Sequence, residues 1–208
     1  MYRRIAGSVG LFRNLIDNEA LWTDSHKTQI AIMLRGGVGD VMIAARWLNN
    51  VIPLLATGAD IVIDIYYALP ENIVFIFGNF PQVRYLYGDV AFESVREYYD
   101  FSFVINHLGY IEIDSGEMDA KLAELPFAGV VQSWSSGLEK FSRFTTRDYH
   151  PDLGKNFYSL IKQGRFLRHS ILEAQTGIGA PVMPFPFALP GEEAVSYTHL
   201  TLPTNREV

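Results

Sequence analysis

Apolar residues fall into two rhythms along this chain, and the two alternate. Residues 28–35 form a short, nearly unbroken apolar run, the pattern of a strand buried on both faces in a parallel sheet. Gly36, Gly37 and Gly39 follow, with Asp40 directly after them; glycine allows positive φ and close backbone approach. From residue 41 to 55 the period changes. Val41, Ala44, Ala45, Leu48 and Ile52 fall on one helical face, while Asn49 and Asn50 lie off it. Strand, glycine turn and helix make one βα unit with an acid at its mouth, the edge at which open α/β sheets bind ligands.

The alternation continues. Thr57, Gly58 and Ala59 mark a turn before a second β-branched strand, 60–66. Pro70 opens a helix over 70–77 that Gly78 and Asn79 stop. A short strand is predicted at 83–87, and a clearer one at 101–106 that ends on the polar Asn106. Helices are predicted at 120–125 and 127–144, interrupted by Pro126, and at 156–175, closed by Gly177 and Gly179. This order predicts an α/β fold: a Rossmann-like three-layer domain with a mainly parallel sheet.

At 208 residues and 49% apolar content, the chain holds one domain or at most two. A net charge of −6 argues against general nucleic-acid binding. There is no cysteine, hence no disulfide framework and no thiolate metal site, which suits the cytosol. Residues 1–27 carry Arg3, Arg4 and Arg13 among scattered apolar residues and lack a signal-peptide core. They read as a helical extension, with contact to a membrane surface as its alternative role. Between 139 and 169 seven Lys or Arg face three acids; this is either a solvated helical face or a patch that meets an anionic substrate. Residues 196–208 resemble read-through into a sequencing adapter. On that reading they are a non-native tail, and the natural chain continues beyond Val195.

The glycine turn is not a P-loop, because no Gly-Lys-Ser/Thr follows it. It is a poor dinucleotide fingerprint as well: Met42 stands where close helix packing wants Gly or Ala, and Asp64 is not clearly at the end of its strand. The histidines show no metal-ligand spacing. Trp134, Tyr149 and Tyr158 are candidates either for stacking on a sugar or for packing. Asp40 has two readings from its position alone, a general base or a helix N-cap.

Residues 30–35, the loop from Gly36 to Asp40 and the helix from Val41 resemble the opening of glycosyltransferase family 9, the heptosyltransferases of lipopolysaccharide synthesis. There a strand and a small loop ending in Gly-Asp-Val/Ile lead into a helix. Gly78 to Val83 with Tyr85 and Leu86 is similar to the family's element of a Pro, a Val and a short strand. Tyr99 and Asp100 ahead of the 101–106 strand are similar to its Tyr-Asp-strand-Asp element, and residues 187–194 resemble the segment leading into its carboxy-terminal domain. The resemblance covers residues 28–195. It departs at Asn106, where the family commonly has Asp and where Asn cannot act as a base, and over 114–148, which matches no element.

The resemblance implies the amino-terminal half of a GT-B glycosyltransferase. It divides the chain into the extension 1–27, an acceptor-side domain 28–188, a connection 189–195 and the tail 196–208. The full enzyme would transfer a sugar, a heptose from an ADP-sugar, to a lipid-linked, lipopolysaccharide-type acceptor. The mechanism would be inverting and metal-independent, without a cofactor, in the cytoplasm at the inner face of the membrane. Asp40 would be the catalytic base that takes the acceptor hydroxyl's proton, in a transition state of oxocarbenium character by analogy with glycoside hydrolysis. Gly36, Gly37, Gly39, Arg35 and Asn106 would contact substrate, the glycines presenting N–H groups to the donor's diphosphate. The sugar nucleotide would sit mainly on a second domain, so this half alone is expected to be inactive. The residues by themselves leave the glycines open as a tight turn and Arg35 as a solvated charge. They also leave open a non-catalytic nucleotide- or phosphosugar-binding module and, third, a nicotinamide-dependent oxidoreductase.

Overall fold

In a computed structural model of the chain, which describes residues 27–107, 109–113, 118–141 and 168–179, the first apolar run is strand β1 (Thr28–Leu34). It leads into helix α1 (Val38–Leu55), strand β2 (Ile61–Tyr66), a 3₁₀ turn continuing as the short helix α2 (Val74–Phe77), and strand β3 (Val83–Tyr87). Next come the short helix α3 (Phe92–Val95), flanked by 3₁₀ turns, and strands β4 (Phe101–Ile105) and β5 (Ile111–Glu112). Helices α4 (Met118–Ala123), α5 (Ala128–Phe141) and α6 (Arg168–Thr176) follow. The sheet order is β3-β2-β1-β4-β5, with β1 to β4 parallel and β5 antiparallel to β4. This is an α/β domain with a mainly parallel sheet flanked by helices.

Pleating sends alternate residues of β1 to opposite faces. Ile30, Ile32 and Leu34 join the larger core with Trp47 and Leu48 of α1, Phe77 of α2, Trp134 of α5 and Leu172 of α6. Ala31 and Met33 join a smaller core on the other face with Tyr66, Tyr87, Phe92 and Val95. Right-handed crossovers account for the division. The chain steps outward from β1 to β2 to β3 through α1 and α2, then returns across β1 to β4 through α3, so α3 lies on the opposite face.

The four predicted strands are present, with the second starting one residue later than expected and the fourth stopping before Asn106. The predicted helix at 70–77 is half 3₁₀, and that at 120–125 spans Met118–Ala123. Helix α1 starts at Val38, three residues before the periodic apolar face does. Strand β5 carries no sequence signal, because two residues cannot display a period. The expected N-terminal extension, the start of the 156–175 helix, Tyr149, Tyr158, the connection at 189–195 and the tail at 196–208 lie outside the described residues.

Candidate functional site

β1 and β4 are neighbours, yet the chain leaves β1 toward β2 on one side and reaches β4 from the other. The crevice beyond their carboxyl ends is therefore the sheet's topological switch point, where doubly wound sheets bind ligands. The Arg35 N–H donates to Ile105 O at 2.9 Å, so the ladder persists one residue past β1. Gly36 then turns the chain with φ +110°, and Tyr67 Oη donates to its carbonyl at 3.0 Å.

Gly37 is the N-cap of α1, with ordinary extended backbone. Asp40 is consequently the third helical residue, not the N-cap. Its Oδ2 nevertheless accepts the Gly37 N–H at 2.9 Å, while its own N–H donates to Gly37 O at 2.9 Å. The acid reaches back over the first turn, which satisfies a helix-start donor and places negative charge at the positive end of the helix dipole. Gly36 alone among the three glycines has a conformational need. Around Gly39 there is open space, and at Gly37 an added Cβ makes only ordinary contact.

Asp40 lines an open cleft with Asn106, His107 and Gly109, above a floor of Ile43, Ala44, Ile105 and Leu172. The structure thus brings together Asp40 and Asn106; Arg35 and the three glycines stand outside this lining. Asn106 is 5% exposed. Its Nδ2 donates to Glu112 Oε1 at 2.6 Å and to Tyr110 Oη at 3.2 Å. Arg35 is exposed, and its Nη1 lies 3.7 Å from Glu112 Oε2, a surface ion pair. His107, exposed on the turn after β4, and Glu112 were not singled out from sequence. Nothing local marks either, because the cleft and the β4–β5 pairing are products of tertiary structure.

Asp64, the ambiguous ribose acid, lies mid-strand and 1% exposed. It accepts from Arg84 Nε at 3.1 Å, from Arg84 Nη2 at 2.6 Å and from Tyr99 Oη at 2.9 Å. No ribose reaches it. A β-bulge makes the ion pair possible: Val83 opposes Ile63 and Tyr85 opposes Asp64, leaving Arg84 as the extra residue, aimed by the bulge onto the acid. Tyr99 uses its one hydroxyl hydrogen to donate to Asp64, so Tyr66 Oη, 2.7 Å away, donates to Tyr99. Burial first, then the Asp64 charge, pushes the Tyr99 and Tyr87 phenols far above their usual range; burial does the same to Tyr66, against its bond to Tyr99. Burial pulls the Arg84 pKa down, but the bonds and charge of Asp64 outweigh it and raise it. Trp134 is fully buried against Trp47 and Phe103, which removes it from any sugar-stacking role.

Among the described residues, no group of three or more His, Asp or Glu side chains is placed to hold a metal ion, and no helix is long and apolar enough to cross a membrane. Comparison with protein-family models, curated proteins and solved structures finds no match to this chain.

Proposed function

We propose that this domain is the acceptor-side half of a GT-B glycosyltransferase in which Asp40 is the general base. One observation carries the reading: the Asp40 carboxylate stands at the mouth of α1 and lines the switch-point cleft. A carboxylate there suits removal of a proton from an acceptor hydroxyl. It meets a phosphate with charge of the wrong sign, which counts against the phosphate-binding module. The cleft is open to solvent, and the acceptor would lie across its mouth with a hydroxyl at Asp40. That arrangement fits a site completed by a second domain holding the donor's diphosphate. On the resemblance to family 9, Arg35 and Asn106 would contact substrate, and the loop of Gly36, Gly37 and Gly39 would face the donor's diphosphate. The resemblance to family 9 supplies the substrate class: a nucleotide-activated heptose and a lipopolysaccharide-type acceptor at the cytoplasmic face of a membrane.

The test is a transfer assay on protein expressed from the full reading frame. ADP-heptose and deacylated lipopolysaccharide core are the substrates, and release of ADP is followed. No release from ADP-, UDP-, GDP- or CDP-sugars would refute the reading.

A further inference from the structure

The carboxylate of Glu112 ties together two strand ends at the switch point. Oε1 accepts from Asn106 Nδ2 at 2.6 Å, and Oε2 lies 3.7 Å from Arg35 Nη1. The Asn106 backbone is held at the same place: its N–H donates to Tyr110 O and its carbonyl accepts from Gly109 N–H, each at 2.8 Å. Glu112 reaches Asn106 because β5 runs back along β4, with Glu112 opposite Val104.

An ionised carboxylate only accepts hydrogen bonds, whereas an asparagine amide has a donating end and an accepting end. Glu112 therefore fixes the amide: Nδ2 faces Glu112 and Tyr110, and Oδ1 turns away from them. Without an acceptor-only neighbour, either amide orientation can satisfy such a site. Asn106 is also a wall of the cleft that contains Asp40. We propose that Glu112 is a positioning residue: it locks the polarity of the Asn106 amide and so fixes the wall of the cleft against which the saccharide acceptor is received beside Asp40. The substrate in this statement rests on the glycosyltransferase reading; the lock rests on the hydrogen bonds alone.

Two measurements test it. In ¹⁵N–¹H spectra of the protein, the side-chain amide of Asn106, assigned by its disappearance in Asn106→Ser, should exchange with solvent at least about tenfold more slowly than that of the exposed Asn49. Glu112→Gln keeps the length of the side chain but offers either an oxygen or an NH₂ group. It should lower that protection and raise the acceptor KM about 3- to 10-fold, the equivalent of one hydrogen bond, with kcat within about twofold. An unprotected Asn106 amide in the wild-type protein overturns the lock, as does protection unchanged in Glu112→Gln. Lost protection with an unchanged acceptor KM overturns the role in recognition. If the wild-type protein transfers no sugar, the glycosyltransferase reading fails, and the amide measurement still decides whether Glu112 holds Asn106.

Discussion

Asp40 Oδ2 occupies the space that any side chain at position 36 would enter: a Cβ built on Gly36 lies 2.5 Å from that oxygen. The same residue has φ +110°, a conformation that L side chains rarely adopt. Glycine at 36 therefore serves both the backbone conformation and the return of the acid onto the Gly37 N–H.

Gly36→Ala should destabilise the domain by about 1–3 kcal/mol, the usual cost of a residue held in a forbidden backbone region, as measured by urea unfolding. Part of that cost is the clash with Asp40. In a double-mutant cycle with Asp40→Ala the two losses should be less than additive. Strict additivity would show that the two residues do not compete for space.

Asp40→Asn should separate support of the helix from chemistry. The asparagine Oδ1 can still accept the Gly37 N–H, so stability should change little, whereas Asp40→Ala should cost about 0.5–2 kcal/mol, as for loss of a helix cap. In the transfer assay, Asp40→Asn should lower kcat by about 10² to 10⁴, the range for loss of a general base. Near-normal turnover would leave Asp40 with the structural role alone.

Arg84→Met leaves the Asp64 carboxylate buried without its ion partner. The loss should be about 3–5 kcal/mol in chemical denaturation. Asp64→Leu combined with Arg84→Met removes both charges and should recover a large part of it. A double variant less stable than Arg84→Met would show that Tyr99 and Gln29, which also bond to the pair, depend on it more than the charges cost.

Tyr87 Oη is fully buried and has no hydrogen-bond partner among the described residues. Tyr87→Phe should raise stability by about 1–3 kcal/mol, the penalty of an unsatisfied buried group. A loss of stability would mean that the hydroxyl does have a partner.

The same face should give the protein an alkaline limit. Tyr66, Tyr87 and Tyr99 keep their protons in the folded state well above the usual tyrosine range, while unfolded tyrosines ionise near pH ~10. Above that pH the folded state binds more protons than the unfolded one, so stability falls as pH rises. The contribution is complete below pH ~10 and declines beyond it. Unfolding free energies across pH 8 to 11 (a range of about three units) check this, and Tyr87→Phe should make the decline shallower. Equal slopes in the two proteins would contradict it.

The strands β1 to β4 and the buried face of α1 were legible in the sequence because apolar periodicity is local, each element carrying its own pattern. Asp40 and Asn106 could be named for a similar reason, each being a polar residue at the end of a predicted element. The start of α1 could not be read: Gly37, Val38 and Gly39 look like turn, and the helix begins there because Asp40 satisfies the first turn from inside. Nor could the site be assembled. Asp40 and Asn106 share a cleft only because β4 returns to pair with β1, a long-range choice absent from either segment. His107 and Glu112 gain their positions from the reversal into β5, and Arg84 gains its partner from a bulge. In each case tertiary structure decided, because a polar side chain takes its role from the groups folding brings to it, and those groups lie far away in the chain.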